Sequence, residues 1–100
     1  MFLHVVMLRL SAAADAAFEA RVQHYCQRIK AECDGVVGYA FEPNIADRSD
    51  GLGHAVIGAF ADSAAHDRYQ ASPAHQEMKA YMAGFIERLV VCDSEVPAFA

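Results

Sequence analysis

Short segments of this chain are apolar on both sides of an extended backbone, which leaves few architectures open to it. In Phe2–Leu10, Phe2, Val6, Leu8 and Leu10 share one side and Leu3, Val5 and Met7 the other. His54–Phe60 sets Val56 and Phe60 against Ala55, Ile57 and Ala59. Phe85–Cys92 sets Leu89 and Val91 against Ile86, Val90 and Cys92. A sheet with one wet face alternates in polarity along each strand. These strands demand cover on both faces. A chain of 100 residues fits one domain, residues 1–100, which buries only about 60–65% of its unfolded surface when folded alone. Its hydrophobic fraction of 55% exceeds the usual ~45–50%. Its own helices can shelter one side of the sheet. The simplest cover for the other is an identical sheet, so a face-to-face homodimer is expected.

The remaining segments complete an α+β pattern. Ser11, a cap-type residue, precedes a helical stretch to Cys33 in which Phe18, Val22, Tyr25, Cys26, Ile29 and Cys33 form one stripe. Asp15 falls in its first turn, and Asp34-Gly35 ends it, with Gly35 placed for a left-handed cap. Val36–Glu42 is a second strand, followed by a loop from Pro43 to Gly53. Asp62 or Ser63 can cap a helix through about Ala71; Ser72-Pro73 restarts it, running to Met82 or Gly84. The tail after Asp93 reads as irregular. The order βαββαβ predicts a ferredoxin-like, four-stranded antiparallel sheet with its helices on one side and the third strand between the first two.

Charge and composition exclude several functions. The net charge of −5 argues against nucleic acid or anionic membrane as a partner. The apolar runs are strand-sized, too short to span a bilayer. No basic region precedes the first of them, so a signal peptide is not expected. Three cysteines, an odd number without framework spacing, predict reduced thiols and a cytoplasmic setting. Among the five histidines none are paired at i, i+4, and Cys-x-x-Cys is missing, so neither a metal nor another cofactor is expected. His24 and His66 read as solvated helix residues.

One pair could carry chemistry. His75 is the third residue of the helix opened by Pro73, whose positive end disfavours imidazolium. A neutral imidazole near pH 7 suits a general base. Tyr69 lies across the helix break, where its hydroxyl could donate to a carbonyl or a developing enolate. Together they could abstract a proton beside a carbonyl, as in aldol-type cyclisation. The same residues also serve as capping and packing groups around a helix break. His4 and His54, inside apolar strands, read as hydrogen-bonded core residues.

Several stretches resemble the stress-responsive α/β-barrel (Dabb) family. Met1-Phe2-Leu3-His4-Val5-Val6-Met7-Leu8 is similar to its first strand, with the histidine. Gly51-Leu52-Gly53-His54-Ala55-Val56 is similar to its Gly-Tyr-Thr-His motif, and Tyr69-Gln70-Ala71-Ser72-Pro73-Ala74-His75 to its Tyr-x-x-His-Pro-x-His motif. Leu89–Asp93 resembles its last strand. Ser72 stands in place of the first motif histidine, and Leu52 and Gly53 in place of Tyr-Thr. The resemblance implies a dimeric α+β barrel. One plant member closes the ring of a linear polyketide; carried over by motif, its catalytic pair becomes Tyr69 and His75, and its substrate-pocket histidines His4 and His54. The implied function is binding of a small hydrophobic carbonyl compound between the sheet and the broken helix, as a polyketide-cyclase-like lyase without cofactor. The alternatives are a non-enzymatic dimeric ligand-binding or stress-associated module and, last, a cofactor-free oxygenase of the related dimeric barrel families.

Overall fold

The computed structural model describes residues 1–97. Its elements are β1 (Phe2–Leu10), α1 (Ala16–Glu32), β2 (Val36–Pro43), β3 (His54–Phe60), α2 (Ser63–Ala71), α3 (Pro73–Met82), a 3₁₀ turn (Ala83–Phe85) and β4 (Ile86–Glu95). The strands form one antiparallel sheet in the order β2-β3-β1-β4, so β3 lies between β1 and β2 as expected.

The helices start where polar side chains satisfy their free N–H groups. Asp15 caps α1, accepting from the Phe18 N–H at 3.0 Å. Ser11 is therefore not the cap: its carbonyl closes a turn onto Ala14, and the helix begins later than expected. Asp62 caps α2 through the Ala65 N–H at 2.8 Å. Gly35 takes φ +84°, and a side chain there would meet the Ala65 Cβ at 2.6 Å. It turns the chain from α1 into β2 and lets α2 approach.

One face of the sheet carries the core. Leu8, Tyr39, Phe41, Val56 and Phe60 point to the helices, against Phe18, Val22, Ile29, Ala65, Tyr69 and Met78. Arg28 ties α1 to α3 by bonding both Glu32, at 2.8 Å, and Glu77, at 2.9 Å. The other face has no helix. There Leu3, Val5 and Met7 are half-buried, while Ile57 is 47% and Val90 38% exposed.

β4 differs from expectation in two ways. The strand runs on to Glu95, because Phe2, Leu3 and His4 of β1 pair with Glu95, Ser94 and Asp93. A polar edge strand does not alternate, so its pattern ends before its pairing does. A bulge at Arg9/Leu10 also sets Leu10 opposite Ile86, and the extra residue turns Ile86 to the helix side with Leu89 and Val91. The expected grouping of Ile86 with Val90 and Cys92 is overturned. The part of the irregular tail that follows Pro97 lies outside the described residues. No helix among the described residues is long and apolar enough to cross a membrane.

Candidate functional site

The helices stop short of β4. Leu89 and Val91, on the helix side of the sheet, stay 49% and 48% exposed. The gap is a cleft of about 320 Å³ whose walls are mostly apolar, including Val6, Leu8, Val56, Met78 and Met82. Ligand pockets start at about this volume, so the cleft suits a small molecule. Its polar lining is His4, Tyr39, Tyr69, Gln70, His75 and Lys79.

The α2–α3 break positions two of these. The Ser72 hydroxyl donates to the Tyr69 carbonyl at 2.7 Å and accepts from the His75 N–H at 3.2 Å. Pro73, at the first position of α3, lacks the N–H that would go unpaired there. One serine thus holds both ends of the break, and the rings of Tyr69 and His75 meet with centroids 4.3 Å apart.

His75 Nδ1 lies 3.1 Å from the Gln70 carbonyl oxygen. A carbonyl only accepts, so the neutral ring carries its proton on Nδ1 and is basic at Nε2. Burial holds its pKa below the ordinary imidazole value, with smaller contributions from Lys79, His4 and His66, against the opposing hydrogen bond to Gln70.

The Tyr69 hydroxyl stands 2.7 Å from that of Tyr39. Burial pushes both phenols well above their usual pKa, so both stay protonated. Two hydroxyls bring two hydrogens, and their mutual bond uses one. The other is free to donate; in this structure Tyr39 has the Met78 sulfur 3.9 Å away, a weak acceptor.

Beside this pair, His4 Nδ1 and Asp93 Oδ1 are 2.5 Å apart. His66 stacks on Phe2 at 4.4 Å and lies 4.7 Å from the His4 ring. It is 4% exposed, so the expected solvated helix residue is a core residue. Burial and the adjacent His4 lower its pKa. Among the described residues, His4, His66 and Asp93 are the group able to hold a metal ion.

Tyr69, His75 and His4 therefore meet at one cleft. His54 does not join them. It pairs with Leu8, while His4 pairs with Gly58 further along β3. It stacks on Phe41 at 5.3 Å and lines a separate hollow with Ser11, Asp15 and Gly53. Three site residues had no role in the sequence reading. Tyr39 shares its side of β2 with Phe41, and His66 lies one helical turn before Tyr69, so both had a periodic signal. Asp93 had none, because its place depends on the length of β4.

The family model for the stress responsive A/B barrel domain matches residues 2–96. No curated protein matches the chain. A Dabb family protein with a ferredoxin-like fold from Mesorhizobium loti is 24% identical, with a TM-score of 0.75 and coverage of 98% of this chain and 97% of that one. A dimeric ferredoxin-like protein of unknown function from Jannaschia is 22% identical, TM-score 0.83, covering 95% and 98%. Hydroxynitrile lyase from Passiflora edulis is 16% identical, TM-score 0.82, covering 99% and 95%. These structures share the four-stranded fold described above, and the family match spans nearly every residue: the chain belongs to the stress responsive A/B barrel domain (Dabb) family.

Proposed function

We propose that this protein binds a small, largely apolar carbonyl compound in the cleft and moves a proton at the carbon beside the carbonyl. The observation that carries the reading is the convergence of an Nε2-basic His75 and a tyrosine pair with one spare hydroxyl hydrogen on a single apolar cleft. His75 Nε2 takes the proton from the carbon. The electron pair moves to the carbonyl oxygen, which accepts the spare hydrogen bond from the Tyr39–Tyr69 pair. The enolate can then close on a second carbonyl, eliminate, or be reprotonated. A hydroxynitrile lyase among the structural neighbours supports lyase chemistry on this scaffold.

The working unit is a homodimer. Leu3, Val5, Met7, Ile57 and Val90 make the open face apolar, and a second copy of that face covers it. The dimeric neighbour from Jannaschia supports this assembly.

A second reading, binding without turnover, draws on Tyr69, which is 1% exposed with its hydroxyl already bonded to Tyr39. Aliphatic methyl ketones of increasing chain length, in deuterated buffer, separate the readings by NMR. Saturable binding with exchange of the protons beside the carbonyl, abolished in His75→Gln, supports the catalytic reading. Binding without exchange leaves a ligand-binding module. Absence of saturable binding across the series overturns both.

A further inference from the structure

We propose that His4, His66 and Asp93 bind a divalent transition-metal cation of the zinc type beside the cleft. The inference does not rest on the proton-transfer chemistry above, since none of Tyr39, Tyr69 or His75 is a ligand, although His4 also lines that cleft.

Three elements contribute one ligand atom each: β1 gives His4, α2 gives His66 and β4 gives Asp93. All three atoms lie within 4.8 Å of one another. Two ligands of one tetrahedral zinc-type ion stand about 3.4 Å apart, on bonds of about 2.1 Å. From the 4.8 Å limit the widest pair closes by up to about 1.4 Å to reach that. The His4–Asp93 pair, now at 2.5 Å, opens so that the cation replaces the proton between them. Asp93 has the freedom to move, its side chain being 39% exposed on an edge strand.

The second, separate observation is His66. Its Nε2 is buried and has no hydrogen-bond partner in a residue 4% exposed. Buried polar atoms are nearly always paired, because leaving one unpaired is costly. His66 belongs to the cluster, and a cation bound at Nε2 would supply the missing partner. Phe2 stacked at 4.4 Å and Phe60 edge-on at 5.2 Å hold the ring in place.

The donor set selects the ion. Two imidazoles and one carboxylate suit zinc-type cations, whereas magnesium and calcium favour oxygen ligands. Three protein ligands also leave a coordination position for water or a ligand.

Untagged, chelator-treated full-length protein is titrated with Zn²⁺ by calorimetry at about pH 7.5, with Mg²⁺ as control. The expected result is one Zn²⁺ per chain and no Mg²⁺ binding. Losing an outer-shell partner of a metal ligand typically weakens binding about 10–100-fold. His66→Phe and Asp93→Asn, which each remove a ligand, are therefore expected to weaken binding at least about tenfold. Circular dichroism checks that the variants fold. Phe preserves the ring in the stack, and the exposed Asp93 keeps the test valid if His66→Phe fails to fold. Co²⁺ should give a spectrum without the thiolate charge-transfer band, and Cys92→Ser should leave binding intact. Absence of saturable Zn²⁺ binding, unchanged affinity in a folded ligand variant, or loss of binding in Cys92→Ser overturns the proposal.

Discussion

The spare-hydrogen argument rests on a bond between two buried hydroxyls, and that bond can be weighed. Tyr39 and Tyr69 are 4% and 1% exposed, with their oxygens 2.7 Å apart. Tyr39→Phe removes one hydroxyl and leaves the other buried without its partner, at a cost of about 1–3 kcal/mol. Tyr69→Phe does the same from the other side. In the double variant no orphan remains, and two apolar rings of nearly the same shape face each other. It should therefore cost clearly less than the two single changes added together. The coupling energy expected from the cycle is about 1 kcal/mol or more. In a domain of this size 1 kcal/mol moves Tm by about 4–8 °C, so each single variant should melt roughly 5–20 °C lower. Urea unfolding at one fixed protein concentration measures the cycle, since association makes stability depend on concentration. If the single costs add to within about 0.5 kcal/mol, the hydroxyls do not depend on each other. Solvent in the cleft would then be satisfying each one, and the spare hydrogen would have no structural basis.

Other perturbations test other parts of the structure. Gly58→Ala puts a Cβ 2.8 Å from the Phe60 ring and 3.2 Å from that of Tyr39; it should destabilise by about 1–3 kcal/mol and displace Tyr39, read by urea unfolding and by the tyrosine ring signals in NMR. Burial lowers the pKa of His75 in the folded state, so the unfolded chain binds the proton more readily and stability falls as pH drops below about 6.5. His75→Gln should lessen that fall between about pH 7 and pH 5; an identical pH dependence in both proteins contradicts the burial argument. Ile57→Asp places a charge on the apolar open face and should halve the mass seen in sedimentation equilibrium while leaving the circular dichroism spectrum unchanged. A wild-type monomer at micromolar concentration removes the dimer.

What the sequence shows depends on how local the determining contacts are. The bounds of β1 and β3 follow directly from it, because both segments end at residues that change the pattern: Ser11 after one, a Gly/Asp-rich loop before the other. The Ser72-Pro73 break is equally legible, since cap and proline act within four residues. Tyr69 and His75 are placed by that break alone, so their meeting at the cleft could be anticipated. The start of α1 could not be settled in this way. Ser11 and Asp15 are both capping types, and the turn from Ser11 to Ala14 delays the helix until Asp15. His66 is polar by type, which suggests solvent, but it shares a helix face with Tyr69 and that position buries it.

The His4–His66–Asp93 cluster belongs to a different class, because no spacing in the chain records it. It exists only through the register of β4 on β1, which the apolar pairs Val6–Val91 and Leu8–Leu89 maintain. Every second residue of β4 faces the helices, so a slip of one position would turn Asp93 to the open face and leave His4 without its partner. The bulge at Arg9/Leu10 lies on the far side of those pairs from His4. It shifts Ile86 toward the cleft without disturbing the register at Asp93. The apolar strands that give the fold its core thus also set the polar cluster, and a change at Leu8 or Val91 that loosened their packing should weaken both together.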